Sequence, residues 1–330
     1  MKFAVAAASA VLGIVPLTPG AVHADAPGPT DFQTEIVSVS PPAQGVEFSV
    51  IGGDSFLAVD VQRGVSIAVT GYRGEPYLEV TASGEVRENH ASVTYATSKS
   101  RYGAALPDGV NAATPPQWHT VATDGRFAWH DHRIHWMNSF DPPGRQRGDV
   151  VLEAVVPITV DGVATAVTVA STWKPSPSAV PLWTGLILGV AAGATGVVLR
   201  RRFGVLVAML GVAAGLALII GGWQFRSLPS TTGPSPTLWL FPAVAVVVAA
   251  AAWAARQRRQ RLLALAAVAI GGGELAIWTV RRWDGLTAAV LPTNAPFWLD
   301  RGVSAAVLTT SALVTAAAVI ELLSPTRSSE

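Results

Sequence analysis

The chain has no cysteine in its 330 residues. Disulfides, thiolate metal sites and cysteine nucleophiles are therefore excluded. Any metal has to be held by histidine, carboxylate, methionine, backbone or terminal-amine ligands. Charge is also scarce, with Asp, Glu, Lys and Arg together only 14% of residues. Lysine is nearly missing: 20 of the 23 basic residues are arginine, and the lysines are Lys2, Lys99 and Lys174. With abundant Ala, Gly, Val and Pro, this is the composition of a high-GC bacterial genome. Familiar catalytic signatures are absent too. There is no G-x-S-x-G elbow, no H-E-x-x-H, no Walker loop and no G-x-G-x-x-G on a strand–helix unit. The expectation is a protein that is not an enzyme. Its basic residues sit beside apolar runs and not among interleaved aromatics, so no nucleic-acid partner is expected.

What is present divides the chain in two. Half of the residues are hydrophobic and the mean hydropathy is +0.40, which points to a membrane. Residues 25–179 carry 17 acids and 10 bases, whereas residues 180–330 carry 5 acids and 12 bases. Such asymmetry indicates two environments. The opening stretch has Lys2, an apolar run to Leu17 and small residues at Val22 and Ala24. This predicts a signal peptide over 1–24, cleaved after Ala24.

Residues 25–174 read as an exported all-β domain. "VEFSVIGGDSFLAVDV" holds two alternating runs around Gly52-Gly53-Asp54, a hairpin signal. "VVLEAVVPITVDGVATAVTVASTW" is a second hairpin, with Asp161-Gly162 suited to a type I′ turn. Seven or more short strands predict an immunoglobulin-like β-sandwich. The Pro- and Gly-rich stretch 95–118 reads as a long loop. A stiff Pro-rich linker, 175–181, follows.

Five apolar segments come next, at about 180–199, 203–222, 238–255, 262–280 and 302–323. Each is near the ~20 residues a helix needs to cross a ~30 Å hydrocarbon core. They predict a bundle of five transmembrane helices over 182–323 and a short cytoplasmic tail, 324–330. Arg200–Arg202, the arginines of 256–261 and Arg327 place eight arginines on one side; Arg226, Arg281, Arg282 and Arg301 place four on the other. The positive-inside rule puts the first group in the cytoplasm and the β-domain outside a plasma membrane. Trp183, Trp223, Trp239, Trp283 and Trp298 then form an aromatic belt at the outer interface. Glu274 lies inside the fourth segment, where a carboxylate is costly. Its readings are an ion or proton relay, or a packing hydrogen bond to Thr309, Thr310 or Ser311.

The densest chemistry is "AWHDHRIHWM", 128–137. All five histidines of the mature chain, His90, His119, His130, His132 and His135, fall within 46 residues. Read as a strand, His130 and His132 share one face, with Cα atoms roughly 6–7 Å apart, and His135 lies on the other. The first two would nucleate a site for Cu(II) or Zn(II), which neutral imidazole suits. A third ligand would come from His90, His119 or a loop Asp by tertiary contact, with His135 contributing less. The competing reading is a structural polar cluster in which Asp131 pairs with Arg133 and the tryptophans pack in the core. On that reading the domain is an interaction module docking an envelope partner.

"RFAWHDHRIHWM", with "GGDSFLAVDV" and "GYRGEPYLEV", resembles a group of uncharacterised bacterial membrane proteins. They share a signal peptide, an exported β-rich domain and C-terminal membrane helices. The resemblance implies architecture and no activity. In organisation the chain is also remotely similar to CopC-type copper-binding sandwiches fused to CopD-type membrane domains. It departs from them in two ways. The mature chain begins at Asp25 and not at a histidine, and residues 180–330 contain no histidine.

Overall fold

The computed structural model describes residues 25–229, 231–232 and 235–324. The expected signal peptide and nearly all of the expected tail lie outside the described residues. Ten strands and one short helix build the first half: β1 (Phe32–Ser40), β2 (Val46–Ile51), β3 (Phe56–Val61), β4 (Ile67–Thr70), β5 (Pro76–Val80), β6 (Val86–Asn89), α1 (Val93–Thr97), β7 (Trp118–Ala122), β8 (Arg126–His130), β9 (Val150–Val160) and β10 (Val163–Trp173). Seven strands form one antiparallel sheet in the order β1-β10-β9-β4-β5-β6-β7, and β2-β3-β8 form a second.

Side-chain alternation decides where the core lies. Along β10 every second residue from Thr165 is buried, and Val156, Ile158 and Val160 do the same on β9. These valines and isoleucines meet Leu57 and Val59 of β3 and Phe127 and Trp129 of β8 in one apolar cluster to which both sheets contribute. Both hairpins form as the sequence predicts. Asp161 (φ 46°) and Gly162 (φ 81°) turn β9 into β10, with the two positive φ values a type I′ turn requires. The 95–118 stretch is irregular apart from the last turn of α1 and the start of β7.

Five long helices follow: α2 (Val180–Val198), α3 (Phe203–Arg226), α4 (Thr237–Gln257), α5 (Arg261–Val280) and α6 (Phe297–Leu323). All five are long and apolar enough to cross a membrane. Helix α2 packs on α6 through glycines. A Cβ on Gly185 would stand 2.1 Å from Gly302 O, and one on Gly189 would stand 2.4 Å from Ala306 O. Only a residue without a side chain allows the backbones so close. At one end of the bundle, Glu321 pairs with Arg200 (3.3 Å) and with Arg261. At the other, Arg282 grips both oxygens of Asp300 (2.8 and 2.9 Å) and also donates to Gln224. The five belt tryptophans all sit at this second end, in the terminal turns of α2, α3, α4 and α6 or in the 3-10 turn Trp283–Leu286. Glu274 does not bond to the hydroxyls expected of it. Thr309, Thr310 and Ser311 donate to backbone carbonyls, and Glu274 Oε2 has no partner among the described residues.

The β-domain rests on this same end. Thr30 and Val290 exchange two backbone bonds (3.0 and 2.8 Å). Ala289 N donates to Asp31 Oδ1 (2.8 Å), and Thr231 Oγ1 donates to Ala128 O (2.7 Å). Gly53 (φ 80°) lies so close to Val290 that a Cβ there would stand 2.8 Å from Val290 Cγ1.

Candidate metal centre

The strand that carries the histidine segment stops at His130. Its last residues pair with β3, Phe56 opposite His130 and Leu57 opposite Trp129. Trp129 is in the core, so His130 projects from the opposite face of the small sheet. There its ring lies against Phe56, 5.5 Å between centroids. After His130 the period-two alternation ends, because Asp131 turns the chain. Its Oδ1 accepts from Arg133 N (3.0 Å) and its carbonyl from Ile134 N (3.2 Å), the local bonding by which an aspartate builds a turn. Asp131 is fully buried and is held on every side. Arg133 reaches both of its oxygens (2.9 and 2.7 Å), and Trp129 Nε1 donates to Oδ2 (2.9 Å). Those bonds hold its carboxyl below the usual carboxylate range despite burial. The expected Asp131–Arg133 pair therefore exists.

This turn corrects the face assignment made from strand periodicity. His135 does not point away from His130 and His132; it joins them. The rings of His130 and His135 lie nearly parallel at 5.0 Å, and His132 stands edge-on to both at 5.2 and 5.5 Å. One ligand nitrogen from each of the three lies within 4.8 Å of the others. His90 and His119, the expected sources of a third ligand, are elsewhere. They stack on each other at 4.0 Å, with His90 also on Tyr95 at 4.1 Å and its Nε2 3.4 Å from Glu88. No ring contact joins that stack to the trio among the described residues.

Backbone carbonyls set the tautomer of each imidazole. A carbonyl oxygen only accepts, so the ring nitrogen facing it carries the hydrogen. His130 Nδ1 donates to Ser98 O (2.9 Å), His132 Nε2 to Ser100 O (2.8 Å) and His135 Nδ1 to Trp136 O (3.2 Å). That leaves His130 Nε2, His132 Nδ1 and His135 Nε2 with lone pairs. His135 Nε2 is buried with no hydrogen-bond partner. A ring fixed through one nitrogen with the other free is how metal-ligating histidines are oriented.

Electrostatics keep the rings neutral. Burial pushes His130 down to about 4, with the charges of neighbouring His132 and Arg101 adding to the effect. His135 falls to about 3, through burial and then Arg101, and His132 is lowered by burial. Arg101 is itself held by an ion pair with fully buried Asp54, at 2.6 and 2.9 Å. Tyr72 closes the other side, its ring stacked on His132 at 5.6 Å and its hydroxyl accepting from His132 N (2.9 Å). Four-coordinate zinc at ~2.0–2.1 Å from each nitrogen needs nitrogens about 3.3 Å apart. In the trio the corresponding separations are 4.8 Å or less.

Arg101, Tyr72 and the carbonyls of Ser98 and Ser100 were not recognisable as site residues from the sequence. Contacts between residues 32 to 60 positions apart bring them in, and no local pattern encodes those. Comparison of the chain with protein-family models, with curated proteins and with solved structures finds no match.

Proposed function

We propose that this chain is a multi-pass envelope protein whose exported β-domain, read as a sandwich of its two facing sheets, holds Cu(II) or Zn(II) on His130, His132 and His135. One observation carries the reading: three neutral imidazoles, each tied to a carbonyl through one nitrogen, bring one ring nitrogen apiece within 4.8 Å of one another. A bound divalent ion would supply positive charge there and link the 98–101 segment to the 131–137 turn. His130 and His135 are only 5% and 1% exposed, which favours holding an ion over turning over a substrate, so the proposed role is non-enzymatic.

The test is titration of the detergent-solubilised full chain with each ion at pH 7, read by calorimetry. A dissociation constant below roughly 10 μM, about −6.8 kcal/mol, is expected. Weaker binding of both ions returns the segment to the structural reading. Acid behaviour follows from the same rings. In the unfolded chain a histidine titrates near ~6.5; folded, His130 and His135 titrate near 4 and 3. Between those values the unfolded state binds more protons, so metal-free stability falls as pH drops from about 6.5 toward 4. Thermal unfolding should show that slope, reduced in H130N/H135N. An identical slope in wild type and variant would count against neutral, buried imidazoles.

Orientation is part of the proposal. Arg200–Arg202 and Arg256–Arg261 lie at the end of the bundle away from the β-domain, and the positive-inside rule places that end in the cytoplasm. Reporter fusions after Arg202 and Arg261 should read cytoplasmic and a fusion after Asn294 external. The reverse pattern would invert the protein.

A further inference from the structure

We propose that the groove between α2 and α3 is a binding site for one anionic phospholipid, its acyl chain along the groove and its phosphate at Arg201, Arg202 and Arg256. Helix α2 is committed to α6 through its glycines, while α3 packs mainly on α4 and α6. Consecutive in sequence, α2 and α3 therefore diverge, and a cavity of about 1290 Å³ opens between them with α6 as its floor. Its walls are smooth and apolar, including Gly189 and Ala192 of α2, Ala208 and Val212 of α3, and Ala306 of α6. Along α3 it runs from Phe203 to Leu216, about 20 Å at 1.5 Å per residue. One leaflet of hydrocarbon is about 15 Å deep, so an acyl chain lies in it lengthwise.

Charge specifies the headgroup. All three arginines line the same end of the groove. Arg200 and Arg261, at that end of the bundle, are neutralised by Glu321. Arg201, Arg202 and Arg256 have no carboxylate partner among the described residues. Arg256 is held at the groove by aromatic rings, its guanidinium 4.9 Å from the Trp253 centroid and 5.9 Å from that of Phe203. Gly204 makes room for it, since a Cβ there would stand 2.6 Å from Arg256 Nε. Three cations without counter-ions at the mouth of an apolar groove match a phosphodiester with a hydrocarbon tail. Guanidinium is the residue chemistry that grips phosphate through paired N–H groups.

The experiment uses the full chain in detergent. It is offered phosphatidylglycerol and phosphatidylcholine of the same acyl composition, with retention read by native mass spectrometry. The wild type should retain one phosphatidylglycerol in preference to phosphatidylcholine. R201Q/R202Q/R256Q should lose that preference by on the order of 100-fold, from about fivefold per arginine near a membrane surface. R258Q/R259Q, which removes two charges from the same end but outside the groove, should retain it. Equal retention of both lipids overturns the proposal. So does equal loss in the two variants, which would mean general surface attraction. Displacement of the lipid by millimolar inorganic phosphate would assign the arginines to the free anion, and a dimer mass in place of a lipid adduct would assign the groove to a second copy.

Discussion

If the trio holds Cu(II) or Zn(II) as proposed, His135→Ala should weaken binding as much as His130→Ala or His132→Ala. Structural zinc sites bind with about 10–16 kcal/mol spread over four ligands, or roughly 3 kcal/mol each, so each substitution weakens affinity by on the order of 100-fold. A strand would have made His135 the dispensable member. The Asp131 turn makes it an equal one, with its Nε2 buried and unpaired. Calorimetry on the three single variants and on His119→Ala decides. His119 stacks on His90 outside the trio, and its replacement should leave affinity within about twofold of wild type. If His135→Ala binds like wild type while His119→Ala does not, the trio is not the site.

The largest effect on stability is expected at Asp131. Removing one partner of a buried pair strands the other, at about 3–5 kcal/mol. Asp131→Ala strands Arg133, which is 17% exposed at its side chain, and leaves the Trp129 indole N–H without its acceptor. For a domain of this size that corresponds to a fall in melting temperature of about 10 °C or more, read from tryptophan emission. It also dissolves the turn that gathers the histidines, so metal binding disappears with it. Asp131→Asn keeps an acceptor for Trp129 and should lie between. A melting temperature within about 2 °C of wild type for Asp131→Ala would show that the turn is held by something else.

The division into β-rich and helical halves was legible because both signals are periodic and long. Twenty-residue apolar runs and alternating strands flanking Asp161-Gly162 leave few alternatives. The site was half legible. Residue type and crowding identified the segment, and the Asp131–Arg133 pairing was foreseen. The geometry failed at one residue: an Asp inside an apparent strand can continue the alternation or bond to its own backbone two residues on. Which it does depends in part on a tertiary partner, Thr70, whose carbonyl takes Arg133 Nη1 at 2.9 Å. His90, which directly follows β6, and His119, in β7, stack on each other at one edge of the larger sheet and make no ring contact with the trio among the described residues.

The bonds from Thr30, Asp31 and Ala128 to the loops of the helical half change what the Pro-rich stretch does. With its domain seated on Val290, Ala289 and Thr231, residues 174–178 span a gap that is already closed and do not set a radius of free swing. The histidine trio then stays at one height and at one bearing relative to the bundle axis. With the five helices across a bilayer as proposed, encounters with anything else in it become a search in two dimensions, in which only rotation of the whole protein about the membrane normal presents a new face.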